Sequence, residues 1–253
     1  MTEVTTSLYN GDCLEVLKEI TEKSVNLVIS DPPYQVTACK WDTIIPFEPL
    51  WEELKRVATN NAAFVFTAKQ PFTTDLINSN RKDFKYCWVW DKVSPAGFHL
   101  SGSRPMQRHE DIVIFARGKN IYNKQGRALK KPFKASSKNN DKSSSSPLAH
   151  ADGKDRIYTH KSPVSILVFS RHERYPHFHP TQKPVALMRY LIQTYSNEGD
   201  TVLDFCMGSG SAGIASKQLN RYFIGIEKDV SYFSRAKESI DITKNLLRRR
   251  KLN

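Results

Sequence analysis

Short apolar runs alternate with amphipathic segments along the first half of the chain. The runs 25–29, 62–67, 84–90 and 112–115 predict buried strands. Apolar residues recur every three or four positions from Phe47 to Val57, which predicts an amphipathic helix before the second of these strands. Because strands and helices alternate, we expect a parallel sheet with helical crossovers.

The last third of the chain repeats this alternation, whereas the segment between lacks it. The predicted elements are a strand at 165–169, a helix from Pro184, a strand at 201–203, a glycine-rich loop at 204–211, a helix at 212–219, a strand at 222–226 and a helix from 230 to about 247. Residues 118–164 show little periodicity and a serine tract, which predicts a loop-rich, mobile insertion. We therefore predict an α/β fold with a doubly wound, mostly parallel sheet, whose halves are residues 1–117 and 165–253.

Charge is concentrated in this insertion. The chain has 38 Lys and Arg against 26 Asp and Glu, a net charge of +12. Residues 119–161 contain eleven Lys or Arg and three Asp, so most of the net charge lies there. Such a segment favours a polyanionic partner, nucleic acid first and an anionic membrane second. A basic surface that contacts only solvent is the alternative.

Other features limit the class of protein. The first ten residues lack a basic region followed by an apolar core, so no signal peptide is expected, and no apolar run approaches the ~18 residues of a membrane helix. The four cysteines have no paired spacing and predict reduced thiols in the cytoplasm; they are Cys13, Cys39, Cys87 and Cys206. His172, His177 and His179 lie close together but without matching Cys or carboxylate spacing, so no metal site is predicted.

A catalytic motif is predicted where the strand at 25–29 ends. Two consecutive prolines, Pro32 and Pro33, cannot continue a strand, so the chain leaves the sheet at its carboxyl edge, where ligands bind in open α/β folds. The Asp31 carboxylate and a proline carbonyl could accept both N–H bonds of an exocyclic amine, and Tyr34 could stack on its ring. A plain strand-ending turn with a buried tyrosine is the alternative.

The glycine-rich loop predicts a nucleoside site. Gly208, Gly210 and Gly213 spell G-x-G-x-x-G, and Glu227 follows Gly208 by 19 residues, where a carboxylate could bind ribose hydroxyls. An NAD(P)-dependent oxidoreductase is therefore one interpretation, although such a fold needs several strands after the loop and only one is predicted. A nucleoside site beside an amine site fits methyl transfer from S-adenosylmethionine.

These motifs together resemble the amino-group DNA methyltransferases, which share a D/N/S-P-P-Y/F motif and an F-x-G-x-G cofactor loop. The motif order resembles the permuted β class, as do the H-P-T-Q-K-P element at 179–184 and Gly11-Asp12. The resemblance runs from about residue 8 to 240, except for the insertion. It departs from the family at Phe205 and Cys206, where a proline and a phenylalanine are usual, and at Ser211, where threonine is usual. Phe205 is the candidate to replace the aromatic ring that the family usually places beside the cofactor.

The resemblance implies a site-specific adenine N6-methyltransferase with a Rossmann-like fold that acts on a flipped-out base in double-stranded DNA. Asp31 rather than a serine favours adenine; cytosine N4, an RNA substrate and a non-catalytic DNA-binding protein are the alternatives. A homodimer and a cognate restriction endonuclease are implied partners, whereas no membrane partner is expected. The implied catalytic residues are Asp31, Pro32, Pro33 and Tyr34. The implied cofactor-binding residues are Asp12, Thr181, Lys183, Asp204, Phe205, Cys206, Gly208, Ser209, Gly210, Ser211 and Glu227. The basic insertion is the expected recognition region, with Lys124, Arg127, Lys130, Lys131, Lys134 and Lys138 as candidate DNA contacts.

Overall fold

The computed structural model describes residues 4–35, 42–135, 156–171 and 182–251. The chain divides into two compact units, one formed by Met1–Asn123 with Ser165–Asn253 and the other by Lys124–Val164. The elements of the first unit are β1 (Thr6–Asn10), α1 (Cys13–Glu19), β2 (Val25–Ser30), α2 (Phe47–Val57), β3 (Ala58–Ala68), α3 (Phe72–Ser79), β4 (Phe84–Ala96), a 3-10 helix (Phe98–Leu100), β5 (Gln107–Phe115), β8 (Ile166–Val168), α4 (Val185–Tyr195), β9 (Thr201–Asp204), α5 (Ser211–Gln218), β10 (Tyr222–Glu227) and α6 (Val230–Lys251). The second unit contains β6 (Arg127–Ala135) and β7 (Arg156–Lys161).

Eight strands of the first unit form one sheet in the order β1-β10-β9-β2-β3-β5-β4-β8. All neighbours are parallel except where β5 lies between β3 and β4. The predicted α/β fold with a mostly parallel sheet is therefore confirmed. The chain moves outward from β2 to β3 on one side and from β9 to β10 on the other. The carboxyl ends of β2 and β9 thus flank a topological switch point, where α/β folds bind ligands.

Apolar side chains cover both faces of the sheet, and β2 contributes side chains to each face. Leu27 and Ile29 pack into the core beneath α4 and α5, whereas Val25 and Val28 pack into the core beneath α1 and α2. A strand buried on both faces reads as a continuous apolar run, which is why the sequence signal for β2 was clear. Within the described residues, no helix is long and apolar enough to span a membrane.

The structure corrects two local predictions. β4 and β5 pair with each other in antiparallel orientation, so no helical crossover joins them. β3 begins at Ala58 directly after α2, rather than at residue 62. Asn60 and Asn61 do not interrupt the strand, because both side chains occupy exposed positions within it. Asparagines usually break such patterns, and here the apolar pairing on either side prevails.

The second unit also differs from its prediction. Residues expected to form loops instead build an antiparallel pair, β6 and β7, in which Phe133 lies opposite Tyr158. Basic residues hide the strand signal because most side chains of this pair are exposed and leave no apolar face to detect.

Candidate active site

A cavity of about 850 Å³ lies at the carboxyl ends of the central strands. Every predicted catalytic and cofactor-binding residue that the structure describes lines this cavity, except Gly210. Thr181 falls outside the described residues. The fold therefore brings residues from the two ends of the chain to one place, and their individual roles remain predictions.

The loop after β9 forms one end of the cavity through its backbone. Gly208 and Gly210 have φ of 49° and 75°, a region that favours glycine, and the loop turns sharply there into α5. The Gly208 amide donates to Glu227 Oε2 at 2.9 Å, and the Asp229 amide donates to Oε1 at 2.9 Å. Burial is the main cause of the raised pKa of Glu227, while the two amides oppose this rise. This end is thus a rigid loop joined to a carboxylate.

The third glycine of the G-x-G-x-x-G pattern serves packing. A Cβ atom on Gly213 would lie 2.6 Å from Ile240 Cδ1 and 2.7 Å from Phe223 Cε1. These distances are shorter than real carbon contacts allow, so α5 can approach α6 and β10 only because position 213 lacks a side chain.

Asp12 closes the same end of the cavity from α1. Its Oδ1 accepts the Leu14 amide at 3.0 Å as the helix N-cap, and its Oδ2 accepts the Lys228 ammonium at 3.0 Å. Burial alone would raise the pKa of Asp12, but the Lys228 and Leu14 hydrogen bonds outweigh it and the pKa is lowered. Asp12 is therefore a charged acceptor beside Glu227.

Asp204 joins the two halves of the sheet beneath the cavity. Its Oδ1 accepts the Ser30 hydroxyl at 2.6 Å and the Cys206 amide at 3.1 Å. Burial raises the pKa of Asp204 to about 7, against the effect of both hydrogen bonds. A predicted cofactor residue therefore also has a clear structural role between β9 and β2.

The other end of the cavity centres on the Asp31 carboxylate. The Tyr34 hydroxyl donates to Oδ1, as does the Thr67 hydroxyl at 2.5 Å, and the Lys183 ammonium donates to Oδ2 at 2.5 Å. Lys183 also lies 3.7 Å from Glu110, whose other oxygen accepts Lys92 at 3.0 Å. The charges thus alternate in sign from the end of β2 to β4, in the order Asp31, Lys183, Glu110 and Lys92.

Tyr34 is held by its ring and by its backbone. The ring centroid lies 5.1 Å from that of Phe72, and the amides of Tyr34 and Gln35 both donate to Asp42 Oδ1 at 2.8 Å. Burial, followed by the charge of Asp31, raises the pKa of Tyr34, so the phenol stays protonated. Sequence patterns gave no signal for Asp42 or Thr67, because their link to the motif exists only in the folded chain.

Comparison with known proteins decides the family. Residues 25–238 match the N6/N4 family of DNA methylases, which is most of the chain. This protein is a member of that family. Type II methyltransferase M1.MboII of Moraxella bovis is 26% identical, with 90% of this chain and 94% of that protein covered.

Two solved structures share the fold. The crystal structure of the M1.HpyAVI–SAM complex has a TM-score of 0.63 at 24% identity and covers 93% of this chain and 100% of its own. The cytosine-N4-specific PvuII DNA methyltransferase has a TM-score of 0.65 at 15% identity and covers 96% of this chain and 93% of its own. The family match includes the glycine-rich loop, so the oxidoreductase interpretation is not supported.

The departure from the family motif changes the surface of the cavity beside the glycine-rich loop. The Phe205 ring is 1% exposed and packs edge-on against Phe66 at 5.7 Å, so most of it belongs to the core. Cys206 borders the cavity, as does Cys13. Interaction with the Cys13 thiol, followed by burial, raises the pKa of Cys206, so a neutral thiol stands where the family usually has an aromatic ring. No sequence pattern indicated that Cys13 and Cys206 border the same cavity.

The predicted DNA contacts belong to the second unit. Lys124, Arg127, Lys130, Lys131 and Lys134 are described there, and all five are exposed. Lys138 lies outside the described residues, as do His172, His177 and His179. The β6–β7 pair therefore carries a dense positive charge on an open surface.

Proposed function

We propose that this protein transfers a methyl group from S-adenosylmethionine to N6 of an adenine in double-stranded DNA. One observation carries the proposal: the carboxylates of Asp31 and Glu227 line one cavity from strands two positions apart in the sheet. That separation is about 10 Å at the usual strand spacing. One end can hold a nucleoside and the other an exocyclic amine, as methyl transfer requires.

The cofactor end suits S-adenosylmethionine. Each Glu227 oxygen accepts one backbone amide and keeps a further lone pair for a ribose hydroxyl. Gly208 has no side chain to keep a ligand from the backbone. When bound, the cofactor supplies an electrophilic methyl group on a sulfonium sulfur. M1.HpyAVI, which is similar in fold, was crystallised with this cofactor.

The catalytic end positions the amine. An adenine amine is a poor nucleophile because its lone pair is delocalised into the ring. Hydrogen bonds to the Asp31 carboxylate and the Pro32 carbonyl draw the nitrogen toward tetrahedral geometry, and the carboxylate stabilises the positive charge that develops there. The surplus proton of the methylated amine passes to water afterwards.

The base reaches this end only when it leaves the duplex. Flipping costs about a few kcal/mol of unstacking and unpairing, which contacts inside the cavity must offset. Tyr34 borders the cavity, and one part of its ring already packs on Phe72. Its cavity side is the stacking surface for the flipped adenine.

The second unit supplies the grip on DNA. Lys130, Lys131 and Lys134 follow one another along β6, and phosphates attract such a row whatever the base sequence. Two-stranded antiparallel ribbons also fit the grooves of DNA, where base edges can be contacted. A cognate restriction endonuclease is a proposed partner because M1.MboII bears a Type II name.

Cytosine N4 is the second candidate target. The PvuII enzyme, which is cytosine-N4-specific, has a similar fold. A cytosine amine could donate the same two hydrogen bonds, to the Asp31 carboxylate and the Pro32 carbonyl. The aspartate of the motif favours adenine, in line with the family resemblance described above.

The test is methylation of plasmid DNA with labelled S-adenosylmethionine, followed by digestion and mass spectrometry of the nucleosides. We expect N6-methyladenine and no N4-methylcytosine. Asp31→Ala should reduce transfer by about 100-fold or more and leave cofactor affinity intact. Asp75→Ala, which changes an exposed carboxylate on α3, is the matched control. N4-methylcytosine would establish the second candidate, and no label in any DNA would refute the proposal.

A further inference from the structure

We propose that Lys183 is a positioning residue that fixes the Asp31 carboxylate for amine binding, rather than a ligand of the cofactor. The inference rests on the proposed function and deepens it. Family resemblance assigns Lys183 to the cofactor site, but the structure directs its ammonium to Asp31 Oδ2 at 2.5 Å.

The position of Lys183 along the sheet supports this role. Its second acidic neighbour, Glu110, lies on β5, whereas the nucleoside carboxylate Glu227 ends β10. These strands are four positions apart in the sheet, about 19 Å at the usual spacing. The Lys183 ammonium therefore lies at the end of the cavity that we assign to the base.

Lys183 completes a set of three hydrogen bonds to one carboxylate. Oδ1 accepts two hydroxyls, from Tyr34 and Thr67, and Oδ2 accepts the Lys183 ammonium. Since each carboxylate oxygen has two acceptor positions, the described contacts fill those of Oδ1 and leave one on Oδ2. The target amine would donate to that remaining position on Oδ2. The hydrogen bond from Lys183 sets the direction in which this free lone pair points.

The charge of Lys183 is itself held in place. Its side chain is 9% exposed, and burial alone would lower its pKa, but the charges of Asp31 and Glu110 outweigh this effect and raise it. Glu110 in turn pairs with Lys92, whose side chain is equally buried. The ammonium thus stays charged and hydrogen-bonded to Asp31 when the base binds.

The first experiment separates positioning from cofactor binding. Lys183→Met should reduce the single-turnover methylation rate by about 100-fold, because a misplaced acceptor loses its near-attack geometry. Its affinity for S-adenosylmethionine, measured by calorimetry, should change less than threefold. The fluorescence of 2-aminopurine at the target position should still report base flipping. Lys55→Met is the matched control, because Lys55 forms a 3.0 Å pair with the buried carboxylate of Asp83.

A second variant covers a failure of Lys183→Met to fold. Lys183→Arg keeps a cation beside Asp31, so it should retain at least about tenfold more activity than Lys183→Met, or clear activity if the latter unfolds. Loss of cofactor affinity with an unchanged rate at saturating cofactor would overturn the inference, as would a folded Lys183→Arg without activity. If wild-type protein methylates no DNA, the proposed function itself fails.

Discussion

The two ends of the cavity are built by different means. At the cofactor end, backbone amides of Gly208 and Asp229 meet the Glu227 carboxylate, and the fixed partners come from one β-α-β unit. At the base end, the described hydrogen bonds to the Asp31 carboxylate come from side chains in three separate parts of the chain, those of Tyr34, Thr67 and Lys183. The cofactor end is therefore rigid by local geometry, whereas the base end depends on long-range charge pairing.

Glu227→Ala should have the largest effect on the rigid end. The variant removes the acceptor of two amides and the proposed ribose contact, so the dissociation constant for S-adenosylmethionine should rise about 100-fold, or roughly 2–3 kcal/mol. Glu227→Gln keeps one acceptor oxygen and should cost about tenfold. Isothermal calorimetry measures both, with the exposed Glu198→Ala as control. Unchanged affinity in Glu227→Ala would mean that the carboxylate does not support the cofactor.

Asp204, which lies between the two ends of the cavity, should make the free energy of unfolding depend on pH. Its pKa is raised to about 7 in the folded protein, so the folded state binds the proton more tightly than the unfolded state. Tighter proton binding by Asp204 stabilises the folded state. This stabilisation is fully present below about pH 4 and is lost as the pH rises through about 7. As the pH rises from 5 to 8, the contribution of Asp204 to the free energy of unfolding should fall by about 2–3 kcal/mol.

Asp204→Asn isolates this contribution, because the amide oxygen can still accept the Ser30 hydroxyl and the Cys206 amide. Urea denaturation of both proteins at pH 5, 6, 7 and 8 measures the difference. We expect the wild type to lose stability relative to the variant over this range. Parallel pH profiles would show that Asp204 titrates near its ordinary value.

Gly213→Ala tests how closely the cofactor end is packed. The new Cβ would overlap Ile240 and Phe223, which costs about 1–3 kcal/mol, while the helix gains about 1 kcal/mol from alanine. We expect a net loss of about 1 kcal/mol in the free energy of unfolding. Gly102→Ala is the control, since nothing lies within 4 Å of its Cβ position. Equal stability of the two variants would show that α5 shifts freely.

The same contrast explains what sequence alone could predict. Gly208 and Glu227 are linked by a short strand-helix-strand path, so their spacing carries the geometry. Lys183 and Asp31 are 152 residues apart, and Thr67 reaches Asp31 across 36 residues. Glu110 and Lys92 enter through antiparallel pairing of β4 and β5, which the alternating pattern did not predict. Periodicity therefore gave the parallel core, whereas the charge network depended on strand order that no local pattern encodes.

The β6–β7 pair differs from both ends because its proposed contacts are electrostatic and exposed. Replacing Lys130, Lys131 and Lys134 together by Gln should weaken DNA binding and reduce the slope of log affinity against log salt by about 1 for each phosphate that is no longer neutralised. Cofactor affinity should stay constant, because the cavity is lined by residues of the first unit. Fluorescence anisotropy at about 50–200 mM salt measures the slope, with the exposed Lys82→Gln as control. An unchanged slope would assign DNA binding to another surface and leave the contrast within the cavity intact.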